Sequence, residues 1–376
     1  MKNQFRFLLL LTSFVLACKA IPSSEPETLI QTVYESGMEG YSHFRIPVLI
    51  KIEQQLFAFA EGRQNSVHDN GDISIVLRRS QDDGKSWGEL IRVVEIDNES
   101  AQNPMPVYVE EEQKLILLFT KRTVGEDTER MLRDGSAKGY VGVYQMESFD
   151  QGLTWSAVKE ITAVVKQDNW RWYALGPGGA IRLKYNRQHS GRIVLPANHS
   201  VDLGSENDFL GGHVVYSDDG GKTWQIGALD SEGMSTINPS ETTVVELKDG
   251  RLYFNTRNHS SVDTIANRAI TYSEDGGASF TAKFHHEKQL VTPVVHASLT
   301  RNKHTLFFVA PFDKQARKDL SLWTSTDEGQ HWKYDRLLYQ GPSAYSSICM
   351  IDENWLGALY EVDDYNRIVF RKVNVR

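Results

Sequence analysis

Cysteine is nearly absent: Cys18 and Cys349 are the two among 376 residues, so no disulfide framework is available and stability must come from packing. Positive charge is also in short supply. Forty-one Lys and Arg against 49 Asp and Glu leave a formal charge of −8 and a pI near 5.8, which excludes a global field that would draw in nucleic acid or an anionic membrane. Any bound anion must be held by a local basic pocket. A mean hydropathy of −0.41, with 40% hydrophobic and 24% charged residues, excludes collagen-like, disordered and polytopic membrane classes.

The first twenty residues read as a targeting segment. Lys2 and Arg6 precede the apolar runs Phe7 to Leu11 and Phe14 to Leu16, a stretch too short to span a bilayer. Val15-Leu16-Ala17-Cys18 resembles a bacterial lipobox, in which Cys18 would carry a lipid anchor. Cleavage after Ala20 is the alternative. Both imply export to the periplasm, cell surface or medium. Removing residues 1–20 takes away Lys2, Arg6 and Lys19 and no acid, so the charge falls from −8 to −11. Residues 21–27, containing PSSEPE, read as a tether, and residues 28–376 as a single domain.

One repeated string organises the remainder. Ser-x-Asp-x-Gly-x-x-Trp occurs as SQDDGKSW from Ser80, SFDQGLTW from Ser148, SDDGGKTW from Ser217 and STDEGQHW from Ser325, with SEDGGASF from Ser273 as a fifth copy. The copies begin 68, 69, 56 and 52 residues apart, the self-similarity of a repeat architecture. Asp and Gly suit a tight turn with positive φ, and the aromatic residue is expected to pack the turn onto its own sheet. Short β runs flank the copies, among them Phe44 to Ile50, Leu56 to Ala60, Ile73 to Leu77, Leu115 to Thr120, Leu252 to Asn255 and Arg367 to Val373. Four strands per turn motif predict an all-β, six-bladed β-propeller. Five units carry the Asp-box turn. The sixth is expected from strands around Tyr345 to Val375, closed by an N-terminal strand before Tyr41.

Phe44-Arg45-Ile46-Pro47, then Phe57-Ala58-Phe59-Ala60-Glu61-Gly62-Arg63 and Val76-Leu77-Arg78-Arg79, together with the Asp-box turns, resemble the sialidase (neuraminidase) family over essentially the whole exported chain. The resemblance implies an exo-α-sialidase that acts on terminal α-linked sialic acids of glycoproteins, glycolipids and oligosaccharides. No cofactor is expected, and His285-His286 and the other histidines lack metal-ligand spacing, so no metal site is assigned. A sugar carboxylate calls for forked cations, and Arg45, Arg257 and Arg317 match the family's three arginines. Arg301 is a nearby alternative to the third. Arg63 matches an arginine near the outer sugar substituents.

A carboxylate nucleophile would be repelled by the carboxylate on the reacting carbon, and sialidases are the known exception that use tyrosine. Tyr345 in GPSAYSS matches that nucleophile, Glu241 in NPSET its base, and Glu361 in LYEV a glutamate that orients the first arginine. The three arginines are expected to favour the phenolate. Asp69, six residues after Arg63, is the candidate acid and base. Asp72 is its rival, placed to cap the strand that follows. Alternatives in other classes are a sialic-acid-binding lectin and a propeller lyase or hydrolase for another 2-keto sugar acid. Gly176-Pro177-Gly178-Gly179 reads as a turn, and Cys349 as a small buried residue.

Overall fold

The computed structural model describes residues 30–96, 98–123, 129–201, 210–230, 237–259 and 267–376. The targeting segment, Cys18 and the tether lie outside the described residues. The fold is all-β, with two short α-helices among the described residues, Glu129–Asp134 and Thr162–Val165. Four sheets form, of eight, five, four and seven strands.

These sheets follow one local rule, an antiparallel meander. His43–Ile52, Gln55–Arg63, Ile73–Ser80 and Ile91–Val94 run in order, as do Glu99–Val109, Lys114–Thr123, Gly142–Ser148 and Lys159–Glu160. Two single residues, Ile73 and Ser100, bridge the two runs into the eight-stranded sheet. The next meanders are Trp170–Leu175, Ile193–Val201, Leu210–Ser217 and Gln225–Asp230, then Pro239–Glu246, Leu252–Asn258, Arg268–Ser273 and His285–His286. The seven-stranded sheet starts with Ser298–Asn302, Thr305–Pro311 and Lys318–Ser325. It continues through the long strand Lys333–Met350 to Trp355–Val362 and Arg367–Asn374, and ends on Ile30–Glu35. The expected N-terminal strand is therefore present, paired antiparallel with the last one.

Second strands of the meanders are buried along nearly their whole length. Gln55–Arg63 and Trp355–Val362 are packed on both faces, which is why they read as apolar runs instead of alternations. Outer strands such as Gln225–Asp230 are mostly half-buried or exposed. Six apolar clusters lie between consecutive meanders, for example Val48, Phe57 and Phe59 against Leu115 and Leu117, and Val194 and Val214 against Val244 and Leu252. The cluster of Val33, Leu359 and Phe370 with Leu49 and Ala58 joins the end of the chain to its beginning. The first strands of the first three meanders approach one another, as do those of the last three, and Lys333–Met350 approaches His43–Ile52; between the two groups Ile193–Val201 meets Pro239–Glu246.

All five Asp-box turns share one hydrogen-bond plan. In the first, Ser80 Oγ donates to Asp82 Oδ1 at 2.8 Å and accepts from Gly84 N at 2.8 Å, while Ser86 N donates to Asp82 Oδ1 at 2.9 Å. The same bonds recur around Ser148, Ser217, Ser273 and Ser325. The aromatic residue departs from expectation. Trp87 packs edge-on to Phe370, Trp155 to Phe59, and Trp332 against Tyr253, each belonging to the preceding meander. Trp224 Nε1 donates to Gln145 Oε1 at 2.6 Å, again on the preceding meander. Phe280 packs on its own sheet, against Phe254, and Trp332 touches its own sheet as well, edge-on to Phe308. The tryptophan is long enough to cross the gap between sheets, so these turns stitch neighbours together. Gly176–Gly179 is a turn, with positive φ at Gly178 and Gly179. Cys349 is half-buried and free, more exposed than expected.

Gly84 shows the tightness of a stitch: at φ +84, a Cβ would lie 2.0 Å from the Phe370 ring. Gly37, at φ +82, faces open space. Gly84→Ala is expected to cost roughly 2–4 kcal/mol, combining left-handed strain with overpacking, and Gly37→Ala the strain alone. Denaturant unfolding of the two variants checks the difference.

Candidate active site

The cavity residues are carried by interruptions in strand register. Pairing shifts between Arg45 and Val48, Gln102 and Met105, Trp170 and Tyr173, Pro239 and Thr242, and Ser343 and Ser346. Each shift falls in the first strand of a meander or, for Tyr345, in the strand that opens the last one. A bulge re-aims the side chains it carries, and here the re-aimed positions include Ile46, Asn103, Trp172, Glu241 and Tyr345. Together with Arg45, Arg63, Asp69, Arg257 and Arg317 they line one polar cavity of about 170 Å³. Ile46 has φ +54 and Asn103 φ +56, strained values that turn each backbone N–H onto a buried carboxylate. Ile46 N donates to Glu361 Oε1 and Asn103 N to Glu61 Oε1, both at 2.9 Å.

Glu361 is fully buried and bonds Arg45 through Nε at 2.7 Å and Nη2 at 3.3 Å. Its Oε2 also accepts Tyr345 N at 3.1 Å. The Arg45 guanidinium carbon lies 5.2 Å from the Tyr345 ring centre and that of Arg317 lies 5.6 Å from it. Arg257 Nη1 donates to Glu241 Oε2 at 2.7 Å and to the Tyr345 hydroxyl at 3.1 Å. Arg317 is held by Tyr365 OH and Val294 O, each at 3.1 Å. Arg301 pairs with Glu328 instead and does not line the cavity.

The Tyr345 hydroxyl donates to Glu241 Oε1. Burial would raise the Glu241 pKa, but Arg257, His296 and the Tyr345 hydroxyl bring it down to about 2, so the carboxylate is charged. Tyr345 moves the opposite way from the expected phenolate. Burial and then Glu241 raise its pKa well above the ordinary phenol value, and the three arginines offset this in part. The pair is therefore a neutral phenol against an ionised base.

Asp69 lies in the loop between Gln55–Arg63 and Ile73–Ser80, with its carboxyl exposed at the cavity mouth and 2.7 Å from Arg63 Nη2. Its backbone oxygen accepts from Gln102 Nε2 at 2.8 Å and from Arg122. Dehydration raises its pKa, but Arg63 and Arg45 outweigh this and hold it below the usual range. Asp72 is absent from the cavity lining, and its carbonyl accepts Gln64 N at 3.0 Å at the strand start. Arg63 also contacts Glu61 Oε2 at 2.6 Å. Sequence reasoning missed Glu61, Asn103, Trp172 and His296. Glu61 lies two residues before Arg63 on the same strand face, a spacing that could have been noticed; the bulges themselves leave no sequence signal.

Sheets stitched by Asp-Gly turns around a polar cavity define a class, the BNR repeat proteins. Residues 54–359 match the BNR repeat-like domain, and the chain belongs to that family. It is similar to the sialidase of Micromonospora viridifaciens, 29% identical over 360 residues that cover 90% of this chain and 53% of that protein. It is also similar to the exo-alpha-sialidase of Aspergillus fumigatus, 27% identical over 374 residues covering 89% and 85%. The chain thus spans about half the length of the first relative and most of the second. Among solved structures, Hadza microbial sialidase Hz136 superposes with a TM-score of 0.80 at 24% identity, covering 92% of this chain and 68% of that one. The intramolecular trans-sialidase from Ruminococcus gnavus, in complex with oseltamivir carboxylate, gives 0.73 at 17% identity, covering 92% and 97%. At these identities the solved structures establish the fold alone.

Replacing Glu361 by Leu would strand the Arg45 charge and orphan two buried N–H groups. A loss of about 3–5 kcal/mol is expected, to be read from urea unfolding midpoints.

Proposed function

We propose that the chain is an exo-α-sialidase built as a six-bladed β-propeller, with each antiparallel meander as one blade and Ile30–Glu35 as the strand that closes the sixth. The cyclic succession of apolar clusters supports that architecture, since closure removes exposed edges. The observation that carries the activity is the Tyr345 hydroxyl, bonded to Glu241 and Arg257 with Arg45 and Arg317 against its ring. A lectin would need the arginines but has no use for a phenol on an ionised base.

Arg45, Arg257 and Arg317 hold the sugar carboxylate by charge-assisted hydrogen bonds. Glu241 takes the phenol proton as the Tyr345 oxygen bonds to the anomeric carbon, and the glycosidic oxygen leaves with a proton from Asp69. The Asp69 carboxylate then deprotonates a water, whose oxygen replaces Tyr345 on the anomeric carbon. Tyr345 recovers its proton from Glu241. Two displacements on one carbon give net retention. Arg63 holds the Asp69 carboxyl at the mouth, on the side of the outer sugar substituents. Substrates are sialylated glycans, and export, with Cys18 as an anchor or cleavage after Ala20, would bring the enzyme to them.

Tyr345→Phe is expected to lower kcat by roughly 10³-fold or more on a fluorogenic sialoside; turnover near wild type would end the assignment. Mass spectrometry should find free N-acetylneuraminic acid, and neither an unsaturated nor an anhydro sugar. Because the acid must be protonated and Asp69 has a depressed pKa, kcat/KM is expected to fall as pH rises from mildly acidic to mildly alkaline.

A further inference from the structure

Opposite the cavity residue Arg257 in the strand register stands a buried cation that the chemistry above does not use. Arg268, on Arg268–Ser273, is fully enclosed. Its hydrogen-bond acceptors are all neutral. Nε donates to Asn255 Oδ1 at 2.7 Å, Nη2 to Asn255 O at 3.1 Å and Nη1 to Val295 O at 2.9 Å. The guanidinium carbon lies 5.6 Å from the Phe308 ring centre. No carboxylate pairs with it among the described residues. A dehydrated charge without a counter-ion is costly, and the surroundings of this one point to a use.

Arg268 stands opposite Arg257 in the strand register, and Arg257 touches both Glu241 and the Tyr345 hydroxyl. Val295, whose carbonyl holds Arg268, packs with Ile46, Ala344 and Tyr345. On either side of it, Val294 O holds Arg317, and the His296 ring lies 5.5 Å from that of Tyr345. One three-residue segment therefore ties Arg268 and Arg317 to the ring of the nucleophile.

We propose that Arg268 is a positioning residue for the Tyr345–Glu241 pair, a fixed positive charge beside Arg257 that favours the Glu241 carboxylate without touching substrate. The proposal rests on the sialidase reading. Tyr253, Glu241, Arg257 and His296 are the titratable or charged groups in its electrostatic reach, and Glu287 N bonds its backbone oxygen. Around Glu241 stand Arg257, His296 and Tyr345. Of these, Arg257 spends its charge in direct contact with Glu241. Burial pushes His296 down to about 4, so it adds its charge only at the acid end, where Glu241 titrates, and is neutral above it. Burial brings Arg268 down to about 9, so it remains a cation there. Removing that charge must raise the depressed Glu241 pKa, and the acid limb of activity moves to higher pH.

The test is the pH profile of kcat and KM on a fluorogenic sialoside for wild type, Arg268→Gln and Arg268→Lys. Gln, which keeps hydrogen-bonding capacity, is expected to raise the acid limb by about one pH unit or more. It should also lower kcat about tenfold while changing KM far less. Lys, which keeps the charge, should leave the limb in place. A Gln variant with the wild-type limb, or a Lys variant shifted as far as Gln, would overturn the proposal. Should the Gln variant fail to fold, Arg268→Met, of similar length and without charge, is read in its place: a raised limb supports the proposal and the wild-type limb sinks it. If the wild type releases no sialic acid, the sialidase reading has failed. The Arg268 proposal is then read by ¹³C NMR of labelled glutamate, with Glu241 assigned through Glu241→Gln. A higher Glu241 titration in Arg268→Gln upholds it, and an unchanged one refutes it.

Discussion

One buried carboxylate joins the two ends of this protein to its site. Glu361 bonds the Arg45 guanidinium and the backbone of Ile46 from the first meander, and the backbone of Tyr345 from its own sheet. A dehydrated glutamate tolerates burial when each lone pair finds a donor, and these donors come from positions some 300 residues apart. The arginine, the strained turn at Ile46 and the start of the tyrosine segment are therefore fixed by the same group. Loosening any of them would leave the others unsatisfied.

Repetition supplies the scaffold, and irregularity supplies the chemistry. The Asp-box turns hold the outer ends of the meanders and reach across to the preceding sheet through Trp87, Trp155, Trp224 and Trp332. At the other end, bulges in successive leading strands turn selected side chains into one cavity. A meander with perfect two-residue alternation would have presented its backbone there and kept Glu241 and Tyr345 in the wall.

Charge and dehydration compete within that cavity, and the balance differs from one group to the next. Glu241, in contact with Arg257, is carried to the ionised side. Tyr345, close to three arginines but directly bonded to an anion, is carried to the neutral side. The proposed reaction uses this contrast: the nucleophile waits protonated beside a base that is already charged. The buried cation Arg268 belongs to the same balance, because its neutral acceptors leave its field uncompensated.

The all-β class, the meander repeat and the Asp-Gly turns followed from the sequence, because they depend on local hydrogen bonding and on two-residue periodicity. The family motif around Arg45 also singled out the arginines, Tyr345, Glu241, Asp69 and Glu361 that line or brace the cavity. Glu61, His296 and Arg268 were not legible, since each draws its significance from a neighbour distant in the chain. The direction of the Tyr345 pKa and the reach of the tryptophans across sheets were likewise decided in three dimensions. Local sequence decides which groups exist and how each short segment bends; which of them share a dehydrated space, and so which charge prevails there, depends on how the sheets pack against one another.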